Sequence, residues 1–164
     1  ALLRDLILSA DVLIENFRPG TLEAMGLDPE KLRLEKPSLV VLRISGFGQT
    51  GPYASRPGFG TLIEAMSGLA SRTGFPDREP VLPPFALADM VAGLQGAMSV
   101  MIALYARDRN GCPGQTIDLS LLEGLFSVLG PQAAEYELTA RPRERVGSAS
   151  ASSAPRVARR WRRR

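Results

Sequence analysis

Chemistry in this chain has few residue types to draw on. The 164 residues include no histidine and a single cysteine. That removes Ser-His-Asp, Cys-His and His-metal arrangements as mechanisms carried by the chain alone. No GxxxxGK[ST] phosphate loop occurs either. Carboxylates, hydroxyls and backbone groups remain. Among the carboxylates, Asp89 stands out by position, because it opens the strongest helical pattern in the chain. An aspartate there reads as an N-cap, favoured by about 1 kcal/mol, and the helix terminus stabilises its negative charge. Cys112 lies in Asn110-Gly111-Cys112-Pro113-Gly114, a turn composition. It reads as an inert loop residue, since a nucleophilic thiol needs a base beside it. A lone cysteine forms no internal disulfide, in keeping with a reducing compartment.

The elements that must position these groups follow from periodicity and turn signals. Residues 1–9 read as a helix with Leu2, Leu3, Leu6 and Ile7 on one face. Residues 11–17 read as a short buried strand, broken by Arg18-Pro19-Gly20, and Thr21 to Met25 as a short helix stopped by Gly26. Asp28-Pro29-Glu30 starts another helix, with Asp as cap and Pro at the first position, which ends before Pro37. Residues 39–44 form a second apolar strand. Helix, strand, helix, strand is the pattern of a parallel α/β sheet. Continuous apolar runs predict strands covered on both faces. Ligands in such sheets sit beyond the carboxyl ends of the strands. Glu15-Asn16-Phe17-Arg18 and Ser45-Gly46-Phe47-Gly48 are therefore the candidate walls of a site. Gly46 and Gly48 either let backbone approach a ligand or simply loosen the loop.

Beyond a Gly- and Pro-rich loop over 46–60, Leu62 to Leu69 reads as a short helix, and Pro76 to Pro84 as a second loop. The long helix spans roughly Ala88 to Arg107. Leu94, Met98, Met101, Ile102 and Tyr105 make one apolar side, while Gly93, Gly96 and Ala97 allow a neighbour close. Residues 115–119 read as a strand, and Ser120 to Thr139 as a helix broken at Gly130-Pro131. Hydrophobic residues make up 45% and charged residues 23%, which suffices for the core of one domain. No continuous apolar run reaches membrane-spanning length, and the opening Ala1-Leu2-Leu3-Arg4-Asp5 lacks the marks of a signal peptide. A cytoplasmic protein without a membrane partner is the expectation. The formal charge of +3 is unevenly spread. Residues 1–140 hold 11 Lys or Arg against 16 Asp or Glu, and residues 141–164 hold nine Arg against Glu144. The basic character belongs to the end of the chain, so no nucleic-acid partner is expected. Ser148 to Ala154 is linker composition and residues 156–164 carry six Arg, a solvated tail. The organisation is therefore a body over 1–147 and a tail over 148–164.

Five ordered blocks carry a more specific signal. They are residues 10–22 (ADVLIENFRPGTL) with Met25-Gly26-Leu27, residues 44–52 (ISGFGQTGP), residues 65–69 (AMSGL) with Thr73-Gly74, residues 88–94 (ADMVAGL), and residues 114–123 (GQTIDLSLLE). Together they resemble the class III CoA-transferase family, which includes formyl-CoA transferase, carnitine CoA-transferase and α-methylacyl-CoA racemase. The resemblance covers about residues 1–155. It implies part of a Rossmann-like parallel-sheet large domain, incomplete at both ends, from a protein that forms an interlaced homodimer. It also implies transfer of CoA from an acyl-CoA donor to a carboxylic acid, with acyl-CoA and small carboxylates as substrates and neither metal nor permanently bound cofactor. Asp89 matches the family's catalytic aspartate, which passes through a mixed anhydride and an aspartyl-CoA thioester. Asn16, Phe17 and Arg18 match the loop that contacts CoA, with Phe17 against adenine and Arg18 toward a phosphate. The glycine loop holding Gly46 and Gly48 would lie beside them. Where formyl-CoA transferases carry a further CoA-binding Arg, this chain has Ala24. Where racemases carry a His-Asp pair, it has Phe59-Gly60, neither of which exchanges a proton, so racemase chemistry is disfavoured. Transferases often have an acid at the position of Gly60, so a non-catalytic remnant that binds CoA weakly stays open as the alternative.

Overall fold

Three parallel strands and the helices joining them make up the part of the chain that the computed structural model describes, residues 2–147. The Ser/Ala run and the Arg-rich tail over 148–164 lie outside the described residues. The elements in order are α1 (Leu2–Ser9), β1 (Val12–Glu15), α2 (Thr21–Ala24), α3 (Pro29–Glu35), β2 (Val40–Ser45), α4 (Gly60–Met66), α5 (Leu69–Arg72), α6 (Leu87–Asn110), β3 (Thr116–Ser120), α7 (Leu121–Val128) and α8 (Gln132–Thr139).

Local signals set several of these boundaries. The Asp28 carboxylate accepts the Glu30 N–H at 3.0 Å and Pro29 fills the first helical position, so α3 starts as its sequence predicts. Gly130, at φ 80°, separates α7 from α8. The sheet order is β1-β2-β3, all parallel, with Val12 opposite Val40 and Glu15 opposite Arg43, and with Val41 opposite Thr116 and Ser45 opposite Ser120. All three carboxyl ends therefore reach the same edge, and the chain leaves that edge through the loops after Glu15, Ser45 and Ser120.

Side chains alternate across β2, so the sheet separates two cores. On one face Val41 packs with Ile7, Leu22, Leu27, Leu32 and Leu39. On the other, Ile44 and Leu119 join Ile63, Ala88, Ala92, Leu121 and Leu125. α6 lies on this second face through its small residues Ala88, Ala92, Gly96 and Ala103, all buried. A Cβ on Gly96 would come within 2.9 Å of a Leu42 methyl and 3.3 Å of a Leu119 methyl, so the glycine is what lets the helix lie against the strands. Gly93, expected to serve the same purpose, faces open space.

One expectation about burial needs correction, that for β1, and two apolar helix faces stand exposed. β2 is covered on both faces, but β1 is an edge strand with Ile14 exposed. Of the apolar face predicted for α1, only Ile7 is buried, while Leu2, Leu3 and Leu6 are exposed. The large apolar side of α6, Leu94 through Tyr105, is likewise exposed. In α6 close packing on a sheet selected the small face, and the long side chains point away from it. By length and apolarity alone α6 also meets the requirement for a membrane span, which the interrupted apolar run in the sequence does not signal. A sheet-covering helix meets the same requirement, and α6 has that position against β2 and β3.

Candidate active site

The carboxyl edge of the sheet carries a cleft of about 340 Å³. It is walled by Asn16, Phe17 and Arg18 after β1, Ser45 and Gly46 after β2, the 54–59 loop, and Asp89 on α6. Five of the six residues singled out in the sequence thus meet around one space. Gly48 does not line it. That residue sits at φ 85°, where a Cβ would lie 3.4 Å from the Asp118 carboxylate, which also accepts the Gln49 N–H at 2.9 Å. Its glycine is a requirement of that turn. Gly46 is buried because the Gly58 backbone crosses it, and a Cβ on Gly46 would lie 2.6 Å from the Gly58 Cα. The contact brings the 54–59 loop over the end of β2, where it forms a wall.

Gly46-Phe47-Gly48-Gln49-Thr50-Gly51 has the spacing GxGxxG, yet it does not build a dinucleotide-binding turn. That turn opens directly into a helix whose N-terminus meets the pyrophosphate. Here α4 begins only at Gly60.

Asp89 is exposed in the third position of α6, not at its cap. The cap position belongs to Ala86, which contributes no side-chain hydrogen bond. An aspartate in the first turn still profits from the helix dipole, but its carboxylate is not used up on the helix's own N–H groups. Gly60, the first residue of α4, lies directly behind it, and a Cβ there would overlap the Asp89 carboxylate. No side chain has room at position 60 while Asp89 stands in this orientation.

The wall formed by residues 16–18 is braced from below. Glu15 is buried, and its Oε2 accepts the Phe17 N–H at 2.8 Å. Its Oε1 accepts from Arg43 Nε at 2.6 Å, across the register that pairs the two residues. The Arg43 guanidinium also donates to both Glu23 oxygens, at 2.7 and 3.3 Å. Burial works against the charge on Arg43, but the bonds to Glu23 and Glu15 outweigh it and hold the guanidinium pKa above its ordinary value. Chiefly through its hydrogen bond from Arg43, the Glu23 carboxyl is held below its usual range.

Arg56 is a wall residue that sequence reasoning did not single out. Its guanidinium lies 4.3 Å from the Tyr53 ring centroid, and Tyr53 in turn leans on Phe47, with ring centroids 5.5 Å apart. Phe47 packs on the second core, so a chain of stacked groups carries an arginine from the core to the cleft. Within the loop over 46–60 its only sequence signal was a lone cation among turn residues. The cleft thus has two guanidinium groups, Arg18 and Arg56, and one exposed carboxylate. Among the described residues no group of Cys, Asp and Glu side chains is arranged to hold a metal ion.

Fold and site together define a parallel α/β protein with a cleft at the carboxyl edge of its sheet, lined by two arginines and an aspartate. The model of CoA-transferase family III matches residues 1–160, and the chain belongs to that family. It is 43% identical over 94% of its length to the succinyl-CoA–D-citramalate CoA-transferase of Chloroflexus aurantiacus, and covers 38% of that protein. It is 41% identical over 94% of its length to the succinate–glutarate CoA-transferase of Agrobacterium fabrum, again covering 38% of it. A crystal structure of a CAIB/BAIF family protein from Brucella suis superposes with a TM-score of 0.85 at 42% identity, over 94% of this chain and 40% of that one. The chain therefore spans about two fifths of the length of these relatives.

Proposed function

We propose that Asp89 is the nucleophile of a CoA-transferase whose acyl-CoA lies in the cleft between α6 and the 16–18 loop. A carboxylate attacks a thioester without a base to deprotonate it. Its oxygen bonds to the acyl carbon and the C–S bond breaks, giving a mixed anhydride and CoA thiolate. The thiolate attacks the aspartyl carbonyl of the anhydride, expels the donor acid as carboxylate, and leaves an aspartyl-CoA thioester. An acceptor carboxylate then runs the two steps in reverse and departs as its CoA ester, freeing Asp89. Phe17 offers a face for the adenine, and Arg18 and Arg56 offer guanidinium groups for phosphates or for the substrate carboxylate.

The observation that carries this proposal is the placement of an exposed, uncapped Asp89 opposite Asn16, Phe17 and Arg18 across one cleft, in a member of CoA-transferase family III. The names of the relatives point to succinyl-CoA as donor and small carboxylic acids as acceptors. Relatives named as alpha and beta subunits of a succinyl-CoA–L-malate CoA-transferase support an assembled state for the whole protein. A cytoplasmic setting, where such thioesters are made and a lone thiol stays reduced, fits the same chemistry.

The test is to incubate the chain with succinyl-CoA in the presence of hydroxylamine and to map the product by mass spectrometry. A hydroxamate at Asp89, missing from Asp89→Asn, is the expected result. A folded chain that gains no label at saturating succinyl-CoA would overturn the assignment and leave a member of the family without turnover.

A further inference from the structure

Ala88 poses a satisfaction problem. It is the second residue of α6 and is fully buried, so its N–H has neither an intrahelical acceptor nor water. The N-cap residue Ala86 has no side-chain acceptor to offer it. The partner comes from another element. Glu64, on α4, is 2% exposed, and its Oε1 accepts the Ala88 N–H at 3.2 Å.

A buried carboxylate is costly unless it is bonded, and an N–H at a helix N-terminus is a favourable donor for it. Residue 64 stands one helical turn after Gly60, on the same side of α4. Gly60 backs the Asp89 carboxylate, and Glu64 holds the backbone N–H of the residue before Asp89. α4 therefore meets the first turn of α6 at two points, with Gly60 close against the Asp89 carboxylate and Glu64 bonded to the Ala88 N–H. The next hydrogen bond, from the Met90 N–H to the Ala86 carbonyl at 3.0 Å, belongs to the helix itself. Without Glu64 the start of that turn keeps the packing of Leu87 and Ala88 and the Leu87 N–H bond to the Phe85 carbonyl at 2.8 Å, but the buried Ala88 N–H loses its acceptor.

We infer that Glu64 is a positioning residue for Asp89. Acting through the Ala88 N–H, it fixes the depth and direction at which the Asp89 carboxylate enters the cleft. The inference rests on the reading of Asp89 as nucleophile for its catalytic consequence, whereas its structural half stands apart from that reading. The bond needs an acceptor oxygen and not a charge, so an amide serves in place of the carboxylate.

The experiment compares Glu64→Ala and Glu64→Gln with the unsubstituted chain in two readouts. The first is the rate of hydroxamate formation at Asp89 as a function of succinyl-CoA concentration. Glu64→Ala is expected to lower the saturating rate on the order of 10- to 100-fold, as a misplaced reacting group does, with the half-saturating concentration unchanged. Glu64→Gln is expected to restore a rate close to that of the unsubstituted chain. The second readout is amide hydrogen exchange at Ala88, Asp89 and Met90. It should quicken in Glu64→Ala, stay slow in Glu64→Gln, and leave the β2 amides unaffected in both. A chain that never labels at Asp89 but shows this exchange pattern defeats the nucleophile assignment and keeps the clamp. Glu64→Ala with unchanged exchange and unchanged labelling overturns the inference, and so does Glu64→Gln behaving like Glu64→Ala.

Discussion

Arg43 shows how a single buried cation can organise the edge of a binding site. It joins a strand residue, Glu15, to a helix residue, Glu23, and Glu15 in turn holds the Phe17 N–H in the cleft wall. The trio has a consequence for acid stability. The Glu23 carboxyl is held low in the folded chain, mainly by its hydrogen bond from Arg43. The unfolded chain therefore takes up the proton first as pH falls. The stabilisation from this contact is complete above the ordinary glutamate value of about 4.3 and is lost as pH drops through the lower folded value. Glu23 is partly open to solvent, so screening keeps the effect small, on the order of 0.2–1 kcal/mol. Glu23→Gln should flatten the dependence of the urea midpoint on pH below about 4.3. An unchanged slope would mean that the pair contributes nothing. None of this trio was legible in the sequence, because Arg43 finds its partners only once β1 and β2 are set in register. Asp89 was legible through the motif around it. Its place in the third helical position was not, since Ala86 carries no cap signal and the side chain that takes over, Glu64, lies 24 residues before the Ala88 whose N–H it accepts.

Elements were the most readable level, and α6 marks where reading stopped. Its extent follows from periodicity and from Gly111, at φ 66°, as the stop. Which side packs does not follow, because a sheet can accept either a stripe of small residues or one of large ones. Leu42 and Leu119 decided it by leaving room for backbone and little more. The two glycines of α6 separate these effects. Gly93→Ala meets open space and should stabilise the chain by about 0.5–1 kcal/mol through helix propensity alone. Gly96→Ala has the same propensity gain, but its methyl would lie 2.9 Å from Leu42, so the gain should vanish or reverse. Urea midpoints of the two variants measure the difference. Equal stabilisation by both would show that α6 does not rest on β2 as closely as described.

For the molecule as a whole, the exposed face of α6 is the dominant unsatisfied feature. Leu94 is 74% exposed, Met98 60%, Ile102 62% and Tyr105 66%. With Leu2, Leu3 and Leu6 of α1 also exposed, the chain presents more large apolar side chains to water than scattered surface residues account for. The sequence announced the apolar stripe, and the chain spans about two fifths of the length of the relatives named above. Apolar surface left in water drives association at a strength that grows with its area. The 164-residue chain should therefore self-associate as its concentration rises. The double substitution Met98→Lys and Ile102→Lys, one turn apart on that face, should shift the equilibrium toward monomer without lowering the urea midpoint, since neither side chain is part of the core. Sedimentation velocity across a concentration series reads both effects. A chain that stays monomeric throughout would show that the face is tolerated in water as it stands, and association unaffected by the two lysines would move the sticky surface elsewhere, with α1 the next element to substitute.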